Sequence, residues 1–201
     1  MRGPCTLTRQ KNDFSFGESV MMKHRILATM TGLSVFAFFT ICVNLNAGAI
    51  AQVPEAIKVQ ASQKLTLEAQ ARGVQIYECK QSNGDPTRLE WAFRAPEADL
   101  FDRGGKHIGK HYAGPTWESN DGSKVVGEFQ ARADGPDPDA IPWLLLRAKS
   151  TSGSGVFSGT HSIQRVRTSG GKAPAACSET QVGKEARIPY EAVYDFYSAG
   201  S

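Results

Sequence analysis

Cysteine is scarce in this chain of 201 residues: four are present, Cys5, Cys42, Cys79 and Cys177, and no two stand in Cys-x-x-Cys spacing. The paired-cysteine metal and redox motifs are therefore excluded. A Gly-x-Ser-x-Gly elbow is missing, as is a Cys/His pair at nucleophile spacing. No long helical stripe runs through the part of the chain beyond residue 51. An excess of one charge is lacking there too. The formal charge of +3 arises in the first 51 residues, and beyond them 18 Lys and Arg meet 18 Asp and Glu. With no basic patch, nucleic acid is not an expected partner.

One long apolar run is present, and it stands near the N-terminus. Lys23, His24 and Arg25 precede it, it extends from Ile26 to Val43, and small residues ending in Ala49-Ile50-Ala51 follow. Positive, apolar, then small-x-small is the order of a secretory signal peptide, so cleavage near Ala51 is expected. The run is also long enough to span a bilayer, which leaves an uncleaved anchor as the alternative. Thr29, Thr31, Gly32, Ser34 and Thr40 dilute it. Either way residues 52–201 face away from the cytoplasm, in the periplasm or the medium, and any membrane contact is through the leader. Phe39-Thr40-Ile41 lacks the small residue that a lipidated Cys42 would need before it. The first 20 residues carry no pattern, and Met21 or Met22 is the expected true start.

The roughly 150 residues after Ala51 suffice for one domain with a real core. Export removes Cys5 and Cys42 and leaves Cys79 and Cys177 to form one disulfide in an oxidising compartment. Closing so long a loop stabilises a fold by ~4–5 kcal/mol in the chain-entropy model. Two free thiols or a shared metal remain the alternative. Turn signals recur at Asn83-Gly84-Asp85-Pro86, Asp102-Arg103-Gly104-Gly105, Asn120-Asp121-Gly122-Ser123, Asp134-Gly135-Pro136, Ser152-Gly153-Ser154-Gly155 and Ser169-Gly170-Gly171. Between them lie period-2 segments: Leu89, Trp91, Phe93 and Ala95; Val125, Gly127, Phe129 and Ala131; Ile188, Tyr190, Ala192, Tyr194 and Phe196. Each predicts a half-buried strand. Trp143-Leu144-Leu145-Leu146 is apolar on both faces and predicts a more central strand. Residues 63–72 fit helix or strand equally. The expectation is an all-β, single-domain antiparallel sandwich or barrel of about eight strands with one disulfide.

The densest group of unusual residues is His107 to Ser123. His107 and His111, four apart, share a face on a strand, and with His161 they are weak candidates for a zinc site. Glu118 and Asp121 could form a carboxylate pair for glycoside chemistry, although Asp121-Gly122 is first a hairpin turn. Trp117 beside Pro115 could offer an aromatic platform, or lie buried. His111, Tyr112, Trp117, Glu118, Asn120 and Asp121 are therefore the candidate ligand-binding residues. Their expected partner is a glycan, peptide or protein outside the cell, contacted without catalysis and without a cofactor. A hydrolase or metal-dependent enzyme using residues 107–121, and a purely structural envelope protein, are the alternatives. Gly153 to Gly159 fails as a dinucleotide loop because its glycine spacing is wrong and no helix is expected after it.

Several blocks together resemble a known family: residues 73–79 (GVQIYEC), 96–100 (PEADL), 111–118 (HYAGPTWE), 121–123 (DGS), 141–145 (IPWLL), and Gln164-Arg165-Val166 through Gly170-Gly171. In this order they are similar to the exported "domain of unknown function 3455" of bacteria and fungi, over roughly residues 53–198. The resemblance implies a signal peptide, a β-rich domain and a Cys79–Cys177 pair, and it implies no activity. A shorter likeness, carried by Tyr77-Glu78-Cys79, is to the periplasmic inhibitors of c-type lysozyme, which are small exported barrels.

Overall fold

The computed structural model describes residues 52–200. The leader, its cleavage point after Ala51, and Cys5 and Cys42 lie outside the described residues. Eight strands follow one another: β1 (Lys64–Gln81), β2 (Leu89–Phe101), β3 (His107–Tyr112), β4 (Thr116–Ser119), β5 (Lys124–Ala133), β6 (Trp143–Ser152), β7 (Thr160–Gly170) and β8 (Glu185–Ser198). Each pairs antiparallel with its neighbour in sequence, and β8 returns to β1, so the sheet closes as an up-and-down barrel. The ambiguous segment 63–72 is thus the first half of β1. A barrel of eight strands has an interior just wide enough to be filled by side chains or to hold one small ligand.

Inward-facing residues alternate as the pattern requires. Tyr190, Ala192, Tyr194 and Phe196 of β8 meet Ala69 and Ala71 of β1, Leu100 of β2, Trp117 of β4, Val125 of β5 and Ile163 of β7 in one core. The apolar outer face of β6 has a separate cover. Trp143, Val166 of β7 and Ile57 are buried together, with Val53 and Leu145 against them, so the chain before β1 lies over the outside of the wall. A 3-10 turn at Glu55–Ile57 shapes that cover, and Gln164 donates from Nε2 to the Ile57 carbonyl at 2.5 Å.

Bulges change which face a residue takes, and they correct three expectations. Ile76 of β1 pairs with Ala95 and Tyr77 with Phe93, so Arg94 is the extra residue and Ala95 no longer shares a face with Phe93. Phe129 pairs with Leu146 and Ala131 with Leu145, so Gln130 is extra and Ala131 turns outward. Leu100 pairs with Gly109 and Phe101 with His107, which makes Ile108 extra and separates His107 from the face of His111.

Cys79 and Cys177 are joined across a separation of 98 residues. The long connection from β7 to β8 is thereby fastened to β1. Trp91 also donates to the Ala176 carbonyl at 3.0 Å, and Tyr77 to the Gly171 carbonyl at 2.6 Å. Among the described residues no helix is long and apolar enough to cross a membrane.

Candidate functional site

The hairpin of β3 and β4 is short, and that shortness opens the barrel wall. β2 pairs with β3 only through Ala98–Phe101, and β4 pairs with β5 only through Lys124–Val126. Residues 89–97 of β2 and 128–133 of β5 therefore have no strand between them. The turn that ends the hairpin early is Ala113-Gly114-Pro115. Gly114 takes φ +107°, a region open to glycine, and the Pro115 carbonyl accepts from Gly127 N at 2.9 Å, which pins the turn to β5. Both exposed strand edges carry devices that discourage pairing with another chain. Pro96 lies in the free part of β2, and Gln130 folds over β5 to donate to the Phe129 carbonyl at 3.0 Å.

The notch leads into a cavity of about 310 Å³. Phe93 and Phe129 stand at its rim, 56 % and 57 % exposed although aromatic. Its deeper wall is formed by Gln75, His111, Trp117, Arg165 and Tyr194, with Leu144 and Leu146 beside them. His111 stacks on Trp117 with ring centres 4.3 Å apart and planes 12° from parallel, and Tyr194 packs against both at 4.9 and 5.2 Å. The Thr116 carbonyl can only accept, so His111 must donate to it from Nδ1 (2.9 Å). Burial lowers the His111 pKa to about 3, against which that hydrogen bond acts only in part, and the ring is neutral. Burial likewise raises the Tyr194 hydroxyl above its ordinary range.

Polar groups in this wall are left over. Gln75 Nε2, Trp117 Nε1 and the Tyr194 hydroxyl are buried and make no hydrogen bond among the described residues, and the nearby Tyr190 hydroxyl is in the same position. The Tyr190 hydroxyl lies close to the Gln75 amide and the Tyr194 hydroxyl, with Arg165 beside Tyr194, but hydrogen-bond geometry is not reached at Gln75 Nε2 or at either hydroxyl. A buried polar group without a partner costs about 1–3 kcal/mol. Several together are unusual in a core and common in a binding pocket.

The residues singled out in sequence are distributed over three places. His111 and Trp117 meet in the notch. Tyr112 and Glu118 lie on the outer wall, where the Tyr112 hydroxyl donates to Glu118 at 2.7 Å and Lys124 pairs with the same carboxylate at 3.2 Å. Those two contacts, Tyr112 first, hold the Glu118 pKa below the usual range. Asn120 and Asp121 sit at the other end of the barrel. Asn120 donates to the His107 carbonyl at 3.1 Å. Asp121 accepts from the Ser123 hydroxyl (2.6 Å), Ser123 N (2.8 Å) and Val156 N (2.9 Å), which lower its pKa to about 2. Neither carboxyl has the raised pKa of a general acid. The depression bordered by His107, Asn120 and Asp121, about 470 Å³, is also lined by Leu67, Ile108 and Val156, and in it Asn120 bonds the His107 carbonyl while Asp121 is taken up by Ser123 and the Val156 N–H.

The histidines do not converge. His107 reaches Asp99 on the outer surface at 3.2 Å, His111 is inside, and His161 is exposed in β7. No group of three or more metal-ligating side chains occurs among the described residues. Sequence reading missed Gln75, Arg165 and Tyr194 as site residues, together with Phe93 and Phe129. They come from five different strands, and no local pattern of the sequence brings them together.

No curated protein and no solved structure matches the chain. A family model does match, over residues 60–198, which take in all eight strands. The chain belongs to that family, DUF3455, described as "Protein of unknown function".

Proposed function

We propose that this is a noncatalytic binding protein, exported to the cell envelope or the medium, that takes a small molecule into the notch between β2 and β5. One observation carries the reading: the notch joins an aromatic wall to buried polar groups that have no partner among the described residues. An apolar cleft with a few convergent polar groups is the usual form of a small-molecule site. The outer residues Tyr112, Glu118, Asn120 and Asp121 are less suited to contact a ligand, because their polar atoms already serve one another or the backbone. The disulfide supports export, since such bonds persist in oxidising compartments.

The test is titration of the purified protein with the neutral fluorescent probe N-phenyl-1-naphthylamine. Saturable binding at one site is expected, weakened at least tenfold in the double variant Phe93→Ala/Phe129→Ala, whose exposed rings contribute little to folding. Leu144→Trp, which fills the cavity, should abolish it. If both variants bind the probe as the wild type does, the notch is not the site.

A further inference from the structure

We infer that the ligand of the notch is an apolar carboxylic acid, its carboxylate held by Arg165 and its apolar body lying between Phe93 and Phe129. This rests on the notch being the binding site. Arg165 pairs in register with Leu144 of β6 and Tyr194 of β8, two inward-facing residues, so its side chain enters the barrel. Its positive field reaches Tyr77, His111, Tyr190 and Tyr194, all buried.

Among the described residues Arg165 also lacks a countercharge. The charged ones of these that border the cavity are Arg94 and Arg165, with no carboxylate. Arg94 is satisfied by Glu185 at 2.6 Å, whereas Arg165 forms no salt bridge among the described residues. Its protein acceptor is the Pro142 carbonyl, reached from Nε (3.1 Å) and one terminal nitrogen (2.8 Å). A guanidinium has five N–H donors in a planar fork, so donors remain that a carboxylate matches in bidentate fashion. Gln75 Nε2 and the Tyr194 hydroxyl, both unpartnered and at residues 2 % and 1 % exposed, supply further donors along the same wall. A cationic ligand would meet two arginines and a neutral imidazole. A neutral apolar ligand would displace water from the cavity and leave the remaining guanidinium donors and the Gln75 amide unpaired, at a cost that rises with desolvation.

The experiment is calorimetric titration of the wild-type protein with octanoate and, separately, with octan-1-ol, which share an apolar body and differ in the head group. Octanoate should bind at least tenfold more tightly, and Arg165→Gln should bring the two within about threefold. Because loss of the contacts to Pro142 could weaken folding of that variant, the wild-type ratio decides by itself. If octanol binds as tightly as octanoate, the anion assignment is overturned while the notch remains a binding site. If neither binds, both this inference and the small-molecule reading fail.

Discussion

The two ends of the barrel are built from the same alternating strands and finished in opposite ways. At one end the β6–β7 loop folds inward. Phe157 is fully buried against Phe196, with ring centres 4.7 Å apart. Its backbone N donates to the Ser123 hydroxyl at 3.1 Å, and Asp121 holds both Ser123 and Val156. A Cβ at Gly155 would lie 2.3 Å from Asp121 Oδ2, so the loop closes onto the carboxylate where only glycine fits. The Asp121 carboxylate and the Ser123 hydroxyl are satisfied within this clamp, and the buried Thr160 hydroxyl beside it makes no hydrogen bond among the described residues. At the other end the β3–β4 hairpin stops short, aromatic rings face solvent, and buried donors go unpaired. There the tie is covalent in part: the disulfide, helped by the Tyr77 and Trp91 hydrogen bonds, holds the β7–β8 connection to β1 and β2. Packing and satisfied hydrogen bonds secure the closed end, a disulfide secures the open one, and the unpartnered donors of the notch lie at the open end.

Breaking the covalent tie should have the largest effect. Cys79→Ala with Cys177→Ala is expected to lower stability by ~4–5 kcal/mol from lost loop closure, measured by urea denaturation. A loss below 1 kcal/mol would show that packing alone secures the open end. Phe157→Ala removes the plug of the closed end and should cost about 3–5 kcal/mol; a near-neutral result would erase the contrast between the ends.

The buried His111 gives a pH test confined to the notch. Its folded pKa near 3 lies below the unfolded value of about 6.5. As pH falls below 6.5 the unfolded chain binds a proton that the folded chain refuses, so stability present above that pH is lost progressively toward pH 3. The steepest slope is about 1.4 kcal/mol per pH unit, giving ~2 kcal/mol between pH 7 and 5. Comparing urea midpoints at those two pH values should show the loss in the wild type and its near absence in His111→Phe. An equal slope in both proteins would place its origin elsewhere.

Asp121→Ala releases the clamp and leaves Ser123 and Val156 short of an acceptor, for a loss of about 1–2 kcal/mol. Hydrogen exchange at Val156 should rise with it; an unchanged rate would mean the loop is held by Phe157 alone. The smallest effect on folding is expected at the rim. Phe93→Ala/Phe129→Ala should shift stability by less than about 0.5 kcal/mol, as exposed substitutions do, while binding falls tenfold. Equal damage to both properties would make the two rings structural.

Much of the fold could be read from the chain because its signals are local. Four of the six turn motifs fall between strands and the other two overlap the ends of β6 and β7, while Ile188 to Phe196 keeps one inward face, half-buried at Ile188 and buried from Tyr190 on. Residues 143–146 are apolar on both faces because the core covers Leu144 and Leu146 while Ile57 and Val53 cover the other side. The site was legible only in part. His111 and Trp117 were singled out and do meet. Tyr112, Glu118, Asn120 and Asp121 accompany them in sequence but lie elsewhere, since a hairpin sends successive side chains to opposite faces and its two tips to opposite ends. Arg165 and Gln75 gave no signal, because a polar residue in a strand reads as outward-facing until its partners in register are known.

The sequence by itself determined the strand class, a count of about eight strands, the expectation that Cys79 pairs with Cys177, and the neutral charge of residues 52–201. These follow from periodicity, composition and the leader. The tertiary structure decided that the sheet closes into a barrel, that three bulges reassign faces, and that one short hairpin leaves a notch lined by Gln75, Arg165 and Tyr194. Those outcomes depend on which residues meet across strands distant in the chain, and no local period records that.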